Sequence, residues 1–303
     1  MYSIIIPHRN TSRLLERLLQ SIPWKHSPQV IVVDNKSTAD ELRAVESLRS
    51  SYHFSLYSSS GCGAGDARNV GLSHADSEWV LFADSDDYYL PDADQLISSH
   101  IDDDADIVFF NVTSAFSDSG ARAYRDRSVK GLLKRYRKEH ENTDVMRCLY
   151  TNPWGKMIRR RLITENHLVF EDIVSGNDVY FSVTAGLAAR SVVVDERELY
   201  CVTVRQQSVT STVDKEHIES NGQSRLRINR LLRERGYGRY QLSVLYYIGM
   251  SRAFGWRFLL HAFCASCRYG NRPWVGIGRL FFPSRWGGVH QIAHKNIEFL
   301  LQK

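Results

Sequence analysis

The chain has 303 residues, of which 43% are hydrophobic and 24% charged, and a formal net charge of +5 at pH 7. These values are typical of a globular protein with one large core, or with one core and a small appended domain. The small net charge, without a recognition motif, argues against nucleic-acid binding. Five cysteines, an odd number, argue against a disulfide framework and favour a reducing compartment.

Neither a membrane span nor an export signal is predicted. No uncharged run of about 18 residues occurs, so we expect no transmembrane helix. The segment MYSIIIPHRN has no basic region before its short apolar run, and it is typical of a strand rather than of a signal peptide. We therefore expect a cytoplasmic protein.

The first third of the chain alternates segments typical of strands with segments typical of helices. This alternation indicates a largely parallel sheet with helices on its faces. The predicted strands are Ser3–Ile6, Val30–Val33, Phe54–Tyr57, Trp79–Ala83 and Ile107–Phe110. The predicted helices are Ser12–Ile22, Asp40–Ser50 and Ala64–Ala75.

The rest of the chain gives weaker signals. Residues 111–145 are polar and without a clear period, which predicts a loop or flap. Residues 146–187 are predicted to be mainly helical, and 191–204 to form one or two strands. From about Asp214 the composition changes to arginine-rich helical segments that lead into an aromatic and basic tail.

A cluster of carboxylates, Asp84-Ser85-Asp86-Asp87, directly follows the predicted strand Trp79–Ala83. It therefore lies at the carboxyl end of that strand, where open α/β sheets bind ligands. Clustered acids repel one another unless a cation or a hydrogen-bond donor meets them. Mg²⁺ and Mn²⁺ often bind one or two carboxylates together with substrate phosphates. We predict a cation and phosphate site with Asp86 as chief ligand and Asp84 on the ribose or the metal, whereas Asp87 could equally cap the turn.

Three predicted strands end in residues suited to a binding site. Pro7 follows the first strand, Asp34 the second and Asp84 the fourth. The carboxyl ends of parallel strands share one edge of the sheet, so these residues can converge on a single crevice. The competing cluster at 102–104 precedes its strand, and we interpret it as a solvated turn at the opposite edge.

Arg68 is a candidate anion contact. It lies near the predicted start of a helix, whose free amides already favour anions. A fixed cation there could touch a diphosphate or hold the acid cluster, although an ordinary surface arginine is the alternative. The nearby glycines at 61–65 superficially resemble a dinucleotide loop, but the third glycine of that fingerprint is missing, so we consider this signal weak.

Taken in order, these segments resemble the family-2 glycosyltransferases of bacterial surface-polysaccharide assembly. The resemblance covers about residues 1–212 and rests on SIIIPHRN, VIVVDNKS, GAGDARNVGL, EWVLFADSDDYYLPD, NPWGKMIRRRLI, FEDIVSGNDVYF and RELYCVTVRQQSVT. It implies an α/β fold of the GT-A type, with a Rossmann-like, mostly parallel central sheet, helices on both faces and a C-terminal helical extension. It also implies a catalytic domain at 1–212, with a nucleotide-binding half at 1–110 and an acceptor-side half at 111–212. A helical, basic and aromatic region would follow at 213–303.

The resemblance further implies a UDP-sugar donor and a metal cofactor. A Mn²⁺ or Mg²⁺ ion on Asp86 and Asp84 would act as a Lewis acid on the departing diphosphate. The residues implied to bind the nucleotide sugar are Pro7, Arg9, Asp34, Arg68, Asp84, Ser85 and Asp86.

The resemblance implies inversion by a single displacement, in which one carboxylate removes the proton of the acceptor hydroxyl. The family usually has Glu-Asp at this position, followed two residues later by an aromatic. Here the segment is Asn177-Asp178-Val179-Tyr180, so Asp178 matches the base and Asn177 replaces the glutamate. This departure leaves Glu171 and Asp172 as alternatives.

Two further regions concern the acceptor and the membrane. Trp154 and Lys156 could line the acceptor site, although Trp154 could equally belong to the core. Residues 246–290 interleave aromatics with arginines, a mixture that can dock on anionic lipid headgroups or pack as an ordinary helical subdomain.

The sequence therefore predicts an inverting, metal-dependent glycosyltransferase. It would move a sugar from a UDP-sugar to a saccharide or a lipid-linked oligosaccharide in lipopolysaccharide, capsule or exopolysaccharide synthesis. It would act in the bacterial cytoplasm, or peripherally on the inner face of the inner membrane. The alternatives are a sugar nucleotidyltransferase and a catalytically inactive relative that binds carbohydrate or serves as a scaffold.

Overall fold

A computed structural model describes residues 1–205 and 214–271 of the chain. The strands are β1 (Tyr2–His8), β2 (Gln29–Asn35), β3 (Ser55–Ser59), β4 (Trp79–Phe82), β5 (Tyr88–Tyr89), β6 (Ile107–Phe116), β7 (Lys156–Arg159) and β8 (Val192–Val204). The helices are α1 (Ser12–Ser21), α2 (Ala39–Leu48), α3 (Ala64–His74), α4 (Ala93–Ser98), α5 (Arg127–Lys138), α6 (Asp144–Leu149), α7 (Arg160–Glu165), α8 (Asn177–Ala188), α9 (Lys215–Glu234), α10 (Leu245–Ser251) and α11 (Trp256–Arg268).

The chain divides into two compact units. The first consists of residues 1–172 and 181–204, and the second of residues 173–180 with the described residues from 205 onward. Helix α8 begins in the second unit and ends in the first. The predicted boundary between residues 212 and 213 lies outside the described residues, so the predicted domain limits stay a prediction.

The first unit is built on one eight-stranded sheet with the order β3-β2-β1-β4-β7-β6-β8-β5. The strands β1 to β4 pair in parallel, as do β6 and β8, whereas β7 runs antiparallel to both of its neighbours and β5 antiparallel to β8. Strands β1, β2 and β4 are almost continuously buried, as expected for strands covered on both faces. The predicted α/β class with a mostly parallel sheet is confirmed.

Helix α3 packs unusually close to β1 because of Gly71. A Cβ atom at this position would collide with the side chain of Ile5. The glycine therefore lets the helix backbone approach the strand. In the dinucleotide fingerprint, the third glycine allows close packing of the helix on the strand. Here Gly71, eight residues after Gly63, allows that close packing.

The structure corrects two predictions in the middle of the chain. Residues 111–145 are not a loop, because β6 continues to Phe116 and α5 and α6 follow. The predicted helical region 146–187 contains the strand β7, which is inserted between β4 and β6. The strand β7 has only four residues, too few to show a period of its own, whereas α5 does carry a helical period in Val129, Leu132, Leu133 and Tyr136 that the prediction missed.

The second unit is helical in its described part, as predicted. Helices α9, α10 and α11 share a small core that contains Leu226, Tyr247, Phe258 and Ala262. Gly222 of α9 leaves room for the ring of Tyr247. Within residues 1–205 and 214–271, no helix combines the length and apolar character needed to cross a bilayer. The part of the tail beyond residue 271 lies outside the described residues.

Candidate active site

His8 and Asp34 form a buried pair where β1 and β2 end. The two residues are directly opposite each other in the parallel register, and their Nδ1 and Oδ1 atoms are 3.0 Å apart. The backbone N–H of Thr11 donates to Nε2 of His8 over 3.1 Å. Since Nε2 accepts a hydrogen bond, Nδ1 must carry the proton that His8 donates to Asp34.

Further contacts favour the ionised form of Asp34. Its Oδ2 atom accepts the backbone N–H of Ser37 over 3.1 Å. Burial raises the pKa of Asp34, but the hydrogen bonds from Ser37 and His8 outweigh this effect and hold the pKa below its ordinary value. The edge formed by β1 and β2 therefore presents a fixed negative acceptor at neutral pH.

The carboxylates at 84–87 form a tight turn that is held from several sides. The backbone N–H of Asp87 donates to the carbonyl of Asp84 over 3.0 Å. The hydroxyl of Tyr200 accepts the backbone N–H of Asp84 over 2.9 Å. The carbonyl of Asp86 accepts the Thr203 hydroxyl over 2.6 Å and also the guanidinium of Arg17. These bonds fix the backbone while the side chains of Asp84 and Asp86 stay partly exposed.

Asp87 is a structural member of this turn. Its side chain is buried, and its Oδ1 accepts the backbone N–H of Thr203 in β8 over 2.7 Å. Burial and the negative charges of Asp86 and Asp84 raise its pKa well above the ordinary value, against a smaller opposing effect of Arg125. Asp87 thus ties the turn to β8, which is neither of the two roles that the sequence suggested.

Arg68 lies beside the turn as the positive counterpart of Asp84. Its side chain is buried, and Nη2 donates to Oδ1 of Asp84 over 2.6 Å. The guanidinium carbon is 5.3 Å from the centre of the Phe170 ring. Asn69 fixes that ring, because its side-chain amide exchanges two hydrogen bonds with the backbone of Phe170, at 2.9 and 2.8 Å. The structure thus excludes the surface alternative for Arg68.

The structure brings most of the predicted nucleotide-sugar residues to one edge of the sheet. The hydroxyls of Ser85 and Thr11 are 2.8 Å apart, which joins the carboxylate turn to the end of β1. Pro7 lies inside β1 opposite Val33, one residue before His8. Arg9 lies in the exposed turn that follows β1.

The residue types at this edge suit a divalent cation. Asp84 and Asp86 offer oxygen ligands from one fixed turn, which is the small protein contribution that a phosphate-bound Mg²⁺ or Mn²⁺ site needs. No group of three or more His, Cys, Asp or Glu residues arranged for a metal occurs within the described ranges. A cation held here would therefore have to complete its coordination with phosphate oxygens and water.

Glu171 and Asp172, the alternative bases, follow Phe170 in the first unit. Oδ1 of Asp172 accepts the backbone N–H of Cys62 over 2.7 Å, so this segment lies against the loop that leads into α3. Glu171 is half-buried and Asp172 exposed. Both are therefore in the same unit as the carboxylate turn.

Asp178 lies in the first turn of α8, in the part of that helix that belongs to the second unit. The preceding segment is attached to α9: the Ser220 hydroxyl donates to the carbonyl of Ser175 over 2.8 Å, and the Ser224 hydroxyl to that of Gly176 over 3.1 Å. Burial lowers the pKa of the Arg225 guanidinium on α9, and the negative charge of Asp178 opposes that shift. The segment that precedes the predicted base is thus held by α9.

Trp154 and Lys156, the proposed acceptor contacts, are only 3% and 2% exposed. The Trp154 ring stacks on Tyr200 with centroids 6.3 Å apart, and Lys156 Nζ donates to the carbonyl of Tyr150 over 2.6 Å. Enclosed side chains cannot reach an acceptor from solvent. The structure therefore favours the packing role, in which Trp154 supports the tyrosine that holds Asp84.

Several residues of this site escaped the sequence analysis. His8 carries the one usable signal, because it follows Pro7 inside the motif SIIIPHRN. Arg17, Tyr200 and Thr203 contact the carboxylate turn from α1 and β8, more than 65 residues away in sequence. No local pattern marks residues whose role depends on such distant contacts.

Comparison with known proteins identifies the family. The model for Glycosyl transferase family 2 matches residues 3–166, more than half of the chain. The chain belongs to glycosyl transferase family 2. The matched segment contains the His8–Asp34 pair, Arg68 and the carboxylate turn. The predicted family and the predicted glycosyltransferase class are both confirmed.

Curated relatives share about two thirds of this family-2 chain. The poly(ribitol-phosphate) β-N-acetylglucosaminyltransferase TarS of Staphylococcus aureus is 29% identical over 218 residues, which are 68% of this chain and 36% of TarS. The putative glycosyltransferase EpsH of Bacillus subtilis is 26% identical over 229 residues, 72% of this chain and 65% of EpsH. The match thus spans about a third of the length of TarS.

Solved structures agree with the fold. Residues 1–349 of S. aureus TarS, in complex with UDP-GlcNAc, superpose with a TM-score of 0.62 at 23% identity and cover 88% of this chain and 72% of that one. The mannosyltransferase PcManGT from Pyrobaculum calidifontis, in complex with GDP-Man and Mn²⁺, has a TM-score of 0.52 at 15% identity, covering 99% and 84%. These likenesses confirm the GT-A type of fold.

Proposed function

We propose that this family-2 protein is an inverting, metal-dependent glycosyltransferase that uses a UDP-sugar as donor. The observation that carries the proposal is the arrangement at the sheet edge. There the Asp84–Asp86 turn, the buried Arg68 and the His8–Asp34 pair are joined by hydrogen bonds. This edge offers a polar acceptor for a base, a cation for a diphosphate and two carboxylates for a metal.

Uracil recognition is assigned to Asp34. An ionised carboxylate can accept the N3–H of uracil, and each of its oxygens keeps acceptor capacity beyond its present bond to His8 or Ser37. Cytosine has no hydrogen on N3, so the same contact would discriminate against it. The complexes of TarS with UDP-GlcNAc and with UDP support this choice of nucleotide.

The diphosphate is assigned to Arg68 and to the carboxylate turn. Asp86 and Asp84 would hold Mn²⁺ or Mg²⁺, which supplies positive charge against the charge that builds up on the leaving diphosphate. Arg68 supplies a fixed positive charge beside Asp84. The Mn²⁺ in the PcManGT complex with GDP-Man supports a divalent cation.

The transfer is proposed to be a single displacement. The acceptor hydroxyl oxygen bonds to the anomeric carbon while the bond from that carbon to the diphosphate breaks, so UDP leaves and the configuration inverts. Asp178 takes the hydroxyl proton, with Glu171 or Asp172 as alternatives. The attachment of the preceding residues Ser175 and Gly176 to α9 supports a fixed position for this base.

The acceptor is proposed to be a saccharide or a lipid-linked oligosaccharide of a bacterial surface polysaccharide such as lipopolysaccharide, capsule or exopolysaccharide. The names of TarS and EpsH support the general class of pathway. A lipid-linked acceptor implies work in the cytoplasm at the inner face of the inner membrane.

Release of nucleoside diphosphate from UDP-, GDP- and dTDP-sugars in the presence of Mn²⁺ tests this function without knowledge of the acceptor. We expect slow hydrolysis of a UDP-sugar that stops in EDTA. A nucleotidyltransferase would instead consume UTP and a sugar 1-phosphate with release of pyrophosphate. An inactive relative would bind UDP without turnover, so each alternative has its own result.

A further inference from the structure

The C-terminal part of the chain is acid-free over a long stretch. Between Arg235 and Ile297 the sequence contains no aspartate or glutamate but nine lysines and arginines. A segment of this composition cannot pair its charges internally. The five arginines of this stretch that lie in the described residues, at 235, 239, 252, 257 and 268, are all exposed and offer positive charge to an anionic partner.

Helix α11 presents an apolar stripe to solvent within this segment. One of its faces packs into the small helical core through Phe258, Ala262 and Ala265. The side chains of Trp256, Leu260 and Phe263 are instead 70%, 52% and 47% exposed. Their spacing of four and three residues places them along one line of the helix, so these exposures form one continuous stripe.

Two arginines flank the stripe. Arg257 and Arg268 are exposed on the same helix, and the guanidinium carbon of Arg257 is 5.6 Å from the centre of the Trp256 ring. His261 is also exposed, with Nε2 3.3 Å from Oε1 of Glu219 on α9. Apolar and aromatic side chains beside arginines are the pattern of a helix that lies in the interface of a lipid bilayer.

We propose that α11 docks on an anionic membrane surface, with Trp256, Leu260 and Phe263 inserted among the acyl chains and the arginines at the headgroups. The charge of the segment favours this occupant, because anionic lipids attract basic segments next to a bilayer. A second copy of the chain would bring like charges together, and a stable protein interface needs about 20–30 residues a side, far more than this stripe. The proposal rests on the membrane location given under the proposed function and names the helix that binds the bilayer. It does not depend on the donor site.

The wild-type full-length chain provides the first test through its own cysteines. Cys62 is exposed in the first unit, and Cys264 and Cys267 are exposed on α11. We expect vesicles that contain phosphatidylglycerol to slow maleimide labelling of Cys264 and Cys267 but not of Cys62, as measured by mass spectrometry of peptides. Phosphatidylcholine vesicles should protect none of the three. Equal labelling of the α11 cysteines with and without anionic vesicles would overturn the proposal.

Vesicle flotation of variants provides the second test. The double substitution Leu260→Asp/Phe263→Asp should lower binding to anionic vesicles more than tenfold. Arg257→Gln or Arg268→Gln should each lower this binding about fivefold. Added salt should weaken the binding of the wild type in the same way as the arginine substitutions do. The control Tyr124→Asp changes an exposed aromatic in the first unit and should bind as the wild type does.

Two further measurements distinguish a failure of the membrane proposal from a failure of the donor assignment. UDP release in detergent-free solution should be unchanged in all four variants, so a protein that floats but hydrolyses no UDP-sugar would refute the donor assignment alone. Light scattering without vesicles tests the competing occupant. A stable wild-type dimer that Leu260→Asp/Phe263→Asp dissociates would assign the stripe to a second copy and overturn the membrane proposal.

Discussion

Nη2 of Arg68 lies 2.6 Å from Oδ1 of Asp84, and this contact joins helix α3 to the carboxylate turn. The guanidinium is buried, whereas the Asp84 side chain is 28% exposed. The pair therefore places a desolvated positive charge behind a carboxylate that is open to ligand. Arg68 also limits the mutual repulsion of Asp84, Asp86 and Asp87, because it lies next to the first of them.

We expect Arg68→Met to weaken UDP binding about tenfold or more and to destabilise the protein by about 1–3 kcal/mol. The substitution removes the charge that is proposed to face the diphosphate, and it leaves Asp84 without its buried partner. Isothermal titration of UDP with Mn²⁺ and urea unfolding measure the two effects. Arg43→Met, on the exposed Arg43–Asp40 pair of α2, is the control and should change neither. Additivity of Arg68→Met and Asp84→Asn in a double-mutant cycle would show that the contact contributes nothing.

Asp86→Asn should lower Mn²⁺-dependent UDP release by a factor of about 10² or more while the fold survives. The side chain is partly exposed, and the turn is held through the Asp86 carbonyl by Arg17 and Thr203, so the substitution removes the proposed ligand and keeps these backbone contacts. UDP release and thermal unfolding measure the two properties. Asp92→Asn, at an exposed position after the turn, is the matched control. Full activity of the variant, or of the wild type in EDTA, would contradict the metal assignment.

Asp178→Asn should leave UDP affinity near normal and lower turnover by a factor of about 10² or more, since general-base assistance is of that size. Transfer to an acceptor is the informative assay. An unchanged rate would move the base to Glu171 or Asp172, for which Glu171→Gln and Asp172→Asn are the matching variants.

The electrostatic effect between Asp178 and Arg225 of α9 leads to a separate expectation. Arg225→Gln should lower turnover less than Asp178→Asn does. It should also shift the pH profile of turnover, because Arg225 acts on the charge of Asp178 rather than on the substrate. Arg230→Gln, on the exposed Arg230–Glu234 pair of the same helix, should have no effect. A pH profile identical to that of the wild type would remove Arg225 from the positioning of the base.

Gly71→Ala should destabilise the protein by about 1–3 kcal/mol, because the added methyl group would collide with Ile5 and push α3 away from β1. UDP affinity should fall as well, since Arg68 moves with the helix. Gly131→Ala is a close control: Gly131 lies inside α5 with no atom within 4 Å of the added carbon. There we expect no change, or a gain of up to about 1 kcal/mol. Equal urea midpoints for the two variants would refute the close-approach role of Gly71.

We expect acid to lower the free energy of unfolding through the protonation of Asp195. Burial raises its pKa, but the hydrogen bonds from Arg197 and His100 outweigh burial and lower the pKa to about 2. A lowered native pKa stabilises the fold above the unfolded value near 4, and this contribution disappears as the pH falls from about 4 towards 2.

The variant Asp195→Asn should therefore be less stable than the wild type by about 2 kcal/mol at pH 6, with a gap that narrows at pH 3. Urea unfolding at both values measures the gap. Asp102→Asn, in the exposed turn before β6, should leave the pH dependence unchanged. A gap that stays constant between pH 6 and pH 3 would contradict the assigned ion pairs.

The sequence by itself determined the alternation of strands and helices in the first third and the place of the acid cluster. Both depend on local patterns: apolar runs of strand length, a helical period in α1, and a carboxylate turn directly after β4. Parallel pairing then dictated that Asp34 and Asp84 lie at the same edge, because the carboxyl ends of parallel strands point the same way.

Only the tertiary structure decided the rest. The four residues of β7 are a strand because β4 and β6 pair with them on either side, and no period in so short a segment records this. Trp154 is enclosed against the distant Tyr200, and the segment that precedes Asp178 is held by α9. Burial and pairing of this kind depend on which surfaces meet after folding, and a linear pattern of residue types does not contain that information.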